Sequence, residues 1–434
     1  MMEPNIPDSP YPRVVILGGG FAGLSLAKTL RNDPFQIVLI DKSNYHTFQP
    51  LLYQIAIGGL EPDSVVIPYW KIFENHPNLV FRMAEVLSVN TTSKEVYTDI
   101  GIIPYDYLVV ATGAKTNFFR LQATVENAMP LKSVPQALDL RSLIFQNFEK
   151  AVRTINHDEF ESLIDIVIVG GGPTGVEMAG ALAELRQHVL PNNFKELDFR
   201  RMDIYLIESG SRLLRGMSEY ASEKALQSLQ SMNVKVLLNT SVRDYNGRLV
   251  QLSHGKQILS STLIWAAGVQ GNIPAGIDKR LIVRGNRLSV DEYLQVPDTP
   301  DVFAMGDIAA IVSGEQHQPH AMIAPVAIQQ GKLVAHNLIR LKKQKPLRPF
   351  IYKDRGVMAT VGRHHAVVDL PFFRFSGVTA WMVWLMVHLM ALVGYRNKLV
   401  VFLNWAFSYI SYDYSLHLII KPYERTTQPV AAVA

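Results

Sequence analysis

Two glycine triplets carry the chemistry that this sequence can do. The first is Gly18-x-Gly20-x-x-Gly23, and the second, about 150 residues on, is Gly170-x-Gly172-x-x-Gly175. In such a triplet the first glycine makes a tight turn, the second lets backbone approach a pyrophosphate, and the third lets helix pack on strand. The phosphates then rest on free N–H groups at the helix N-terminus. Asp41 lies 18 residues after Gly23, where a carboxylate can accept from both hydroxyls of a ribose. Glu208 lies 33 residues after Gly175, a longer gap that fits a polar insertion at Pro191 to Arg201. An acid there repels a 2′-phosphate, so NADH is expected to outcompete NADPH. Arg212 is the one nearby cation that works against this preference.

The elements that must position these groups can be read from apolar spacing. Arg13 to Leu17 predicts a strand, Ala22 to Leu30 a helix, and Ile37 to Ile40 the next strand, ending at Asp41. The unit returns as a strand at Asp165 to Val169, a helix at Gly175 to Leu190 and a strand at Asp203 to Ile207, ending at Glu208. Strand, glycine turn, helix, strand is the start of a doubly wound parallel sheet. The expected class is therefore α/β, with two Rossmann-like dinucleotide-binding domains. Two such sites in one chain suggest that one holds a flavin and the other admits a nicotinamide, because a flavin relays a hydride as electrons. Leu108 to Val110 runs into Ala111-Thr112-Gly113, Val302 to Met305 runs into Gly306-Asp307, and Leu263 to Gly268 ends another strand in glycine.

Composition narrows the rest. The 434 residues are 48% apolar and 18% charged, as in globular proteins, which excludes a disordered or fibrous chain. There is no cysteine, hence no disulfide, no thiol nucleophile and no Cys-ligated metal. His317, His320, His364 and His365 have no acid cluster around them, so no metal site is expected. The N-terminus lacks the pattern of a secretory signal. Net charge is +4, yet from Leu341 onward twelve Lys/Arg face four Asp/Glu. There the basic residues flank long apolar runs, which suits a lipid–water interface and not nucleic acid. Val378 to Val393 is one such run of 16 residues, about 24 Å as helix against the roughly 30 Å of a bilayer core. Leu399 to Ile410 is a second. Trp381, Trp384, Tyr395, Arg396 and Lys398 are expected to form the edge of an interfacial anchor. A dimer interface and a true span stay open as alternatives.

With these residues in view, the chain resembles the type II, non-proton-pumping NADH:quinone oxidoreductases. The resemblance rests on both glycine loops, on Asn44 to Tyr53 (NYHTFQPLLY), on Ala111-Thr112-Gly113, on Gly172-Pro173-Thr174-Gly175-Val176-Glu177, on Gly306-Asp307, and on Ala327 to Gly331. It implies that FAD is held by Gly18, Gly20, Phe21, Ala22, Gly23, Asp41, Lys42, Val86, Ala111, Thr112, Gly113, Gly306, Asp307 and Ala327. Asp41 stands where the family usually has Glu. NADH is assigned to Gly170, Gly172, Pro173, Thr174, Gly175, Glu208 and Gly268. Glu177 matches the family's acid at the junction of the nicotinamide and quinone sides of the flavin, and is the one catalytic candidate. An alternative reading makes it a helix-N-terminal carboxylate stabilised by the macrodipole, and both readings can hold at once. Quinone is assigned to Gln49, Pro325, Ile328 and Gln329. The family's Ala-Gln-x-Ala-x-Gln reads Ala324-Pro325-Val326-Ala327-Ile328-Gln329 here, so Pro325 removes one polar contact.

The expected organisation is an FAD-binding domain at 1–125 and 285–345, an NADH-binding domain at 126–284, and a membrane-anchoring, quinone-access segment at 346–434. The implied enzyme passes a hydride from NADH to FAD and two electrons to a membrane quinone, as the entry to a respiratory chain. It would sit peripherally on the cytoplasmic side of the inner membrane, with monomer or homodimer left open. Two rivals share the fold: a soluble NADH-dependent reductase of a small electron carrier, and an NADH-binding redox sensor.

Overall fold

Val14, Val15, Ile16 and Leu17 are wholly buried, as a β-branched run must be when both faces of its sheet are covered. In the computed structural model, Arg13–Leu17 is indeed an interior strand. The structure describes residues 4–119, 121–312, 319–411, 418–419 and 421–425. His317 and residues 412–417 of the C-terminal segment lie outside that set. The chain divides into two units: Met1–Thr47, Ile67–Lys115 and Val269–Asp354 form one, and Phe48–Val66, Thr116–Gly268 and Arg355–Ala434 the other.

The first unit is built on a six-stranded sheet in the order Gln295–Val296, Thr299–Ala304, Tyr107–Val110, Arg13–Leu17, Gln36–Asp41, Leu79–Met83. All its pairings are parallel except the edge pair of Gln295–Val296 with Thr299–Ala304. Arg13–Leu17 has Gln36–Asp41 on one side and Tyr107–Val110 on the other. The strand order therefore reverses beside the first glycine loop, where α/β sheets open a crevice for ligands. Helix Phe21–Thr29 follows that loop, and helix Ala324–Lys342 packs on it so closely that a Cβ at Gly331 would lie 2.4 Å from the Ala22 carbonyl oxygen.

The second unit repeats the plan with a parallel sheet in the order Met129–Pro130, Thr262–Trp265, Ile166–Val169, Ile204–Ile207, Val234–Leu237. Its loop helix is Pro173–Glu184. It starts two residues before the expected Gly175, because proline at N1 is pre-set for a helix and has no N–H to leave unbonded. A π-turn at Leu185–Val189 and a short helix at Leu190–Asn193 continue it. The long gap before Glu208 is thus folded structure: Phe194 and Phe199 pack edge-on against Phe148 of helix Val134–Ala151.

The C-terminal part of this unit is a three-stranded antiparallel sheet, Val357–Gly362, His365–Asp369 and Arg374–Ser376. It lies on the loop helix with almost no clearance, since a Cβ at Gly180 would stand 1.8 Å from the Val361 carbonyl oxygen. Two helices follow, Val378–Ala391 and Tyr395–Ser411. The 16-residue apolar run gives a helix of only 14, because Leu392 turns to extended backbone and Gly394 takes a positive φ. At 1.5 Å per residue that is about 21 Å. Among the described residues no helix is long and apolar enough to cross a membrane. One expectation is overturned here. Trp384 is not an edge residue: it is 1% exposed and faces inward with Ala380. Met382, Met386 and Met390 point outward instead, each more than 60% exposed.

Candidate functional site

The two loops are near copies down to their clearances. Gly18 sits at φ +103° and Gly170 at φ +113°, a backbone that side chains rarely adopt, and a Cβ on either would strike the next strand's backbone (Ala111, Ala266). A Cβ on Gly23 or Gly175 would lie 2.0 or 1.9 Å from the carbonyl oxygen of Gly18 or Gly170. At Gly20 and Gly172 the same test meets nothing within 4 Å. Each loop therefore presents open space at the one glycine over which a pyrophosphate must pass. Each of these glycines also caps its helix without a side-chain bond, which leaves the first-turn amides facing that space. The residues fit a dinucleotide at both places.

The acids do more than the sequence shows. Asp41 Oδ2 accepts from the Gly19 amide at 2.8 Å and from the Tyr69 hydroxyl at 3.2 Å, while Oδ1 accepts from Ser43 N–H at 2.9 Å. Glu208 Oε2 accepts from the Gly171 amide at 2.7 Å, and Oε1 from Gly210 N–H at 2.6 Å and the Ser209 hydroxyl at 3.3 Å. Each carboxylate holds the glycine between the first two members of its triplet, Gly19 or Gly171, with lone pairs left for a ribose. His46 backs the first loop: its Nδ1 meets the Gly19 carbonyl at 3.0 Å, and its buried Nε2 has no partner among the described residues. Burial lowers its pKa to about 4, so the ring is neutral and donates from Nδ1. Around the same crevice, Thr112 Oγ1 donates to the Asn272 carbonyl at 2.6 Å, and Gly113 is at φ +68°. Asp307 lies in the turn Gly306–Ile308, whose Gly306 amide donates to Gln330 Oε1 at 2.7 Å. Ala327 is buried beside that turn, Lys42 is exposed, and Val86 opens the strand Val86–Asn90. In the second unit Gly268 is at φ +73°, with the Phe119 ring against it.

Glu177 is the fifth residue of its helix and is 8% exposed. The alternative macrodipole reading, which would give a low pKa, is not what the structure gives. Burial raises it to about 8, against a weaker opposing pull from the Thr360 amide and the Trp384 indole. The macrodipole acts on exposed groups of the first turn, whereas desolvation governs a carboxyl beyond it. Trp384 stacks on His388 with ring centres 4.0 Å apart, and His388 Nδ1 meets the Trp384 carbonyl at 2.9 Å. Phe48 lies edge-on to His388. Trp405 Nε1 donates to Gln54 Oε1 at 2.8 Å, and Gln54 Nε2 to the Tyr53 hydroxyl at 2.9 Å. Glu177 thus heads an aromatic and amide cluster lined by both C-terminal helices.

The expected quinone residues fare unevenly. Gln49 is exposed at the start of the turn Gln49–Leu51 of the second unit. Pro325 is at the start of helix Ala324–Lys342 in the first unit, and Ile328 uses its carbonyl to accept from Ser25 Oγ. Gln329 clamps Lys353, donating to its carbonyl and accepting from its amide, both at 3.0 Å. Its amide is therefore already engaged. Among the described residues no cluster of His, Asp and Glu could hold a metal. Tyr69, His46, Gln330 and the Gln54–Trp405 pair were assigned no role from sequence. Only the Asn44–Tyr53 and Ala327–Gly331 motifs signalled any of them.

The fold and these loops define a class, two dinucleotide-binding folds in one oxidoreductase. The family described as pyridine nucleotide-disulphide oxidoreductase matches residues 12–331, and the NDH2 C-terminal domain matches residues 355–411. No cysteine is present, so the disulphide of that description has no counterpart here. The chain is 34% identical to the type II NADH:quinone oxidoreductase Ndh of Mycobacterium tuberculosis, over 94% of this chain and 90% of the relative. It is 31% identical to the Haemophilus influenzae type II NADH:quinone oxidoreductase, over 82% and 86%. The NDH2 structure from Plasmodium falciparum in complex with NADH superposes with a TM-score of 0.85 at 22% identity, covering 94% of this chain and all of that one. The chain belongs to the type II NADH:quinone oxidoreductase family. It is an FAD-dependent enzyme that oxidises NADH and reduces a quinone without pumping protons. The carrier-protein reductase and the redox sensor are thereby set aside.

Proposed function

We propose that the two loops divide the work: the Gly18–Gly23 loop with Asp41, Asp307 and Ala327 binds FAD, and the Gly170–Gly175 loop with Glu208 and Gly268 binds NADH. The twin open cradles at Gly20 and Gly172 carry this reading. The other FAD contacts, Lys42, Val86 and Ala111 to Gly113, and the other NADH contacts, Pro173 and Thr174, follow the same division. The FAD domain comprises 1–125 and 285–345, the NADH domain 126–284, and the quinone-access segment 346–434. Bound there, FAD supplies two-electron chemistry between a hydride donor and a quinone.

The protein's own part is positioning and proton handling. The loop amides fix the pyrophosphates, and Asp41 and Glu208 orient each ribose while keeping their loops rigid. Glu177, neutral at pH 7, holds a proton at its carboxyl. The Thr360 amide stands ready to stabilise the carboxylate once that proton leaves. Reduction of a quinone to a quinol consumes two protons, so a buried acid is a useful source.

The membrane face is the outward row of the C-terminal helices: Met382, Met386 and Met390, with Leu399, Phe402, Leu403 and Phe407. Such a face lies in the interface plane and buries apolar area without crossing. Exposed Arg374 and Arg396 flank this face, each also 3.6 Å from a carboxylate (Asp369 and Asp63), so their pull on an anionic surface stays below the about 1 kcal/mol of a free basic residue. Quinone, soluble in the acyl region, enters from this side, past the Gln54–Trp405 cluster, with Gln49 of the same unit a secondary contact. The site of action is the cytoplasmic side of the inner membrane, as a peripheral protein.

The test is flavin content and nucleotide binding in two variants. Gly20→Val should yield a folded protein without FAD. Gly172→Val should keep one FAD per chain but leave it oxidised when NADH is added. The reverse pattern would overturn the assignment.

A further inference from the structure

Arg287 is a buried cation held by neutral partners. It opens the strand Arg287–Val290, is 6% exposed, and among the described residues no carboxylate bonds to it. Its Nη1 donates to the His320 carbonyl at 2.9 Å and its Nη2 to the Ala309 carbonyl, while its buried Nε has no partner. Burial pushes the guanidinium below its ordinary pKa and the Asp307 carboxylate pulls the other way. A guanidinium stays protonated at physiological pH all the same. His320 adds no charge of its own, since burial and the nearby guanidinium both lower its pKa.

The place of this cation gives it a use. Ala309 comes two residues after Asp307, in the strand Ala309–Ile311 that pairs in parallel with Arg287–Val290. His320 precedes the helix Ala324–Lys342, whose Gln330 accepts from the Gly306 amide. One guanidinium therefore grips the chain just after the turn Gly306–Ile308 and just before the helix that backs it. Two carbonyls need only donors to satisfy them. Burying a charge for that purpose is costly unless an opposite charge lies within reach of its field.

We propose that Arg287 is an electrostatic positioning residue for FAD: its buried charge offsets the Asp307 carboxylate and raises the reduction potential of the flavin. The proposal rests on the reading of Asp307 as an FAD contact. Near neutral pH a flavin carries more negative charge after two-electron reduction than before it. A carboxylate in contact with FAD therefore disfavours reduction, and a cation behind that carboxylate favours it. In a low-dielectric interior both fields reach further than in water and are little screened by salt. With Arg287 in place, Asp307 can hold FAD without making it harder for NADH to reduce.

The test is the midpoint potential of FAD in the loaded full chain, from spectroelectrochemical titration against a reference dye. Arg287→Gln keeps an amide donor but removes the charge. Its equilibrium constant for flavin reduction should fall at least about tenfold, which is about 30 mV for a two-electron couple. Arg287→Lys keeps the charge but not the fork of donors, and its constant should stay within about threefold of the unmodified protein. Asp307→Asn removes the opposing charge and should raise the constant. An unchanged constant in Arg287→Gln, with a raised one in Asp307→Asn, would overturn the proposal alone. Equal falls in the Gln and Lys variants would overturn it too, because the contacts and not the charge would then matter. Should Arg287→Gln lose its FAD, Arg287→Lys decides: a constant within threefold upholds the proposal and a tenfold fall overturns it. An Asp307→Asn variant with full FAD and an unchanged constant would overturn the reading of Asp307 as an FAD contact, and the proposal with it.

Discussion

Asp41 and Glu208 read in the sequence as candidate ribose acceptors, but nothing there shows them as clamps on their own glycine loops. The clamp depends on the amides of Gly19 and Gly171, and backbone donors leave no trace in residue type. Tyr69 was hidden for a related reason. It is 28 positions from Asp41 and reads as one more core aromatic, yet its hydroxyl would collide with a Cβ on Gly19 at 2.2 Å. Gly19→Ala should therefore displace Tyr69 and loosen the FAD loop, measured as faster release of flavin on dilution. Glu177 is a candidate from its motif, but its raised pKa was not legible there, because burial by the C-terminal strands and helices is a long-range fact. Its pKa of about 8 lies above the ordinary 4.5, so between those values the folded state holds a proton that the unfolded state has lost. Stability contributed by this group falls as pH rises through that window. Glu177→Gln cannot ionise, so its melting temperature should gain on that of the unmodified protein between about pH 5 and pH 9. The same variant should retain FAD and turn over more slowly, and the limb of the pH–rate profile near 8 should disappear. Equal melting temperatures at both ends of the range would show that Glu177 is not buried as described.

At the scale of elements, the strands beside the glycine loops were read to within a residue, because short continuous apolar runs and glycine punctuation are local signals. Helix ends were less legible: the second loop helix starts at Pro173, and its far end passes through a π-turn. Trp384 was taken for an interfacial residue because tryptophan suits that setting, whereas tertiary packing assigns it to the interior. Two contacts between elements can be tested directly. Gly180→Ala places a methyl against the Val361 carbonyl and should cost roughly 1–3 kcal/mol, seen as a lower denaturation midpoint. Asn397 Nδ2 donates to the carbonyls of Asp63, Ser64 and Val66 at 2.7–3.2 Å. Asn397→Ala should leave those buried carbonyls short of donors, at about 1–3 kcal/mol, and free the helix Tyr395–Ser411 from the segment that carries Tyr53 and Gln54. Quinone reduction should fall further than reduction of the flavin by NADH.

At the scale of the molecule, the duplicated plan was legible because both copies keep strand, glycine turn, helix and acid in one order. The proposed membrane face showed in the sequence only as a composition shift, since which residues of an all-apolar helix point outward depends on what the other side packs against. The central claim is that electrons leave through a face that lies on the lipid, and one measurement addresses it most directly. In Met382→Glu/Met386→Glu both changes fall on the outward row and away from Trp384. The assay compares, on liposomes of mixed anionic and neutral lipid, flotation with the vesicles, NADH-driven reduction of a membrane-embedded quinone, and NADH-driven reduction of ferricyanide in water. The account predicts loss of flotation and of quinone reduction, with the ferricyanide rate within about twofold of the unmodified enzyme, or roughly 0.4 kcal/mol in barrier. A double variant that still floats and reduces the embedded quinone at the normal rate would contradict it.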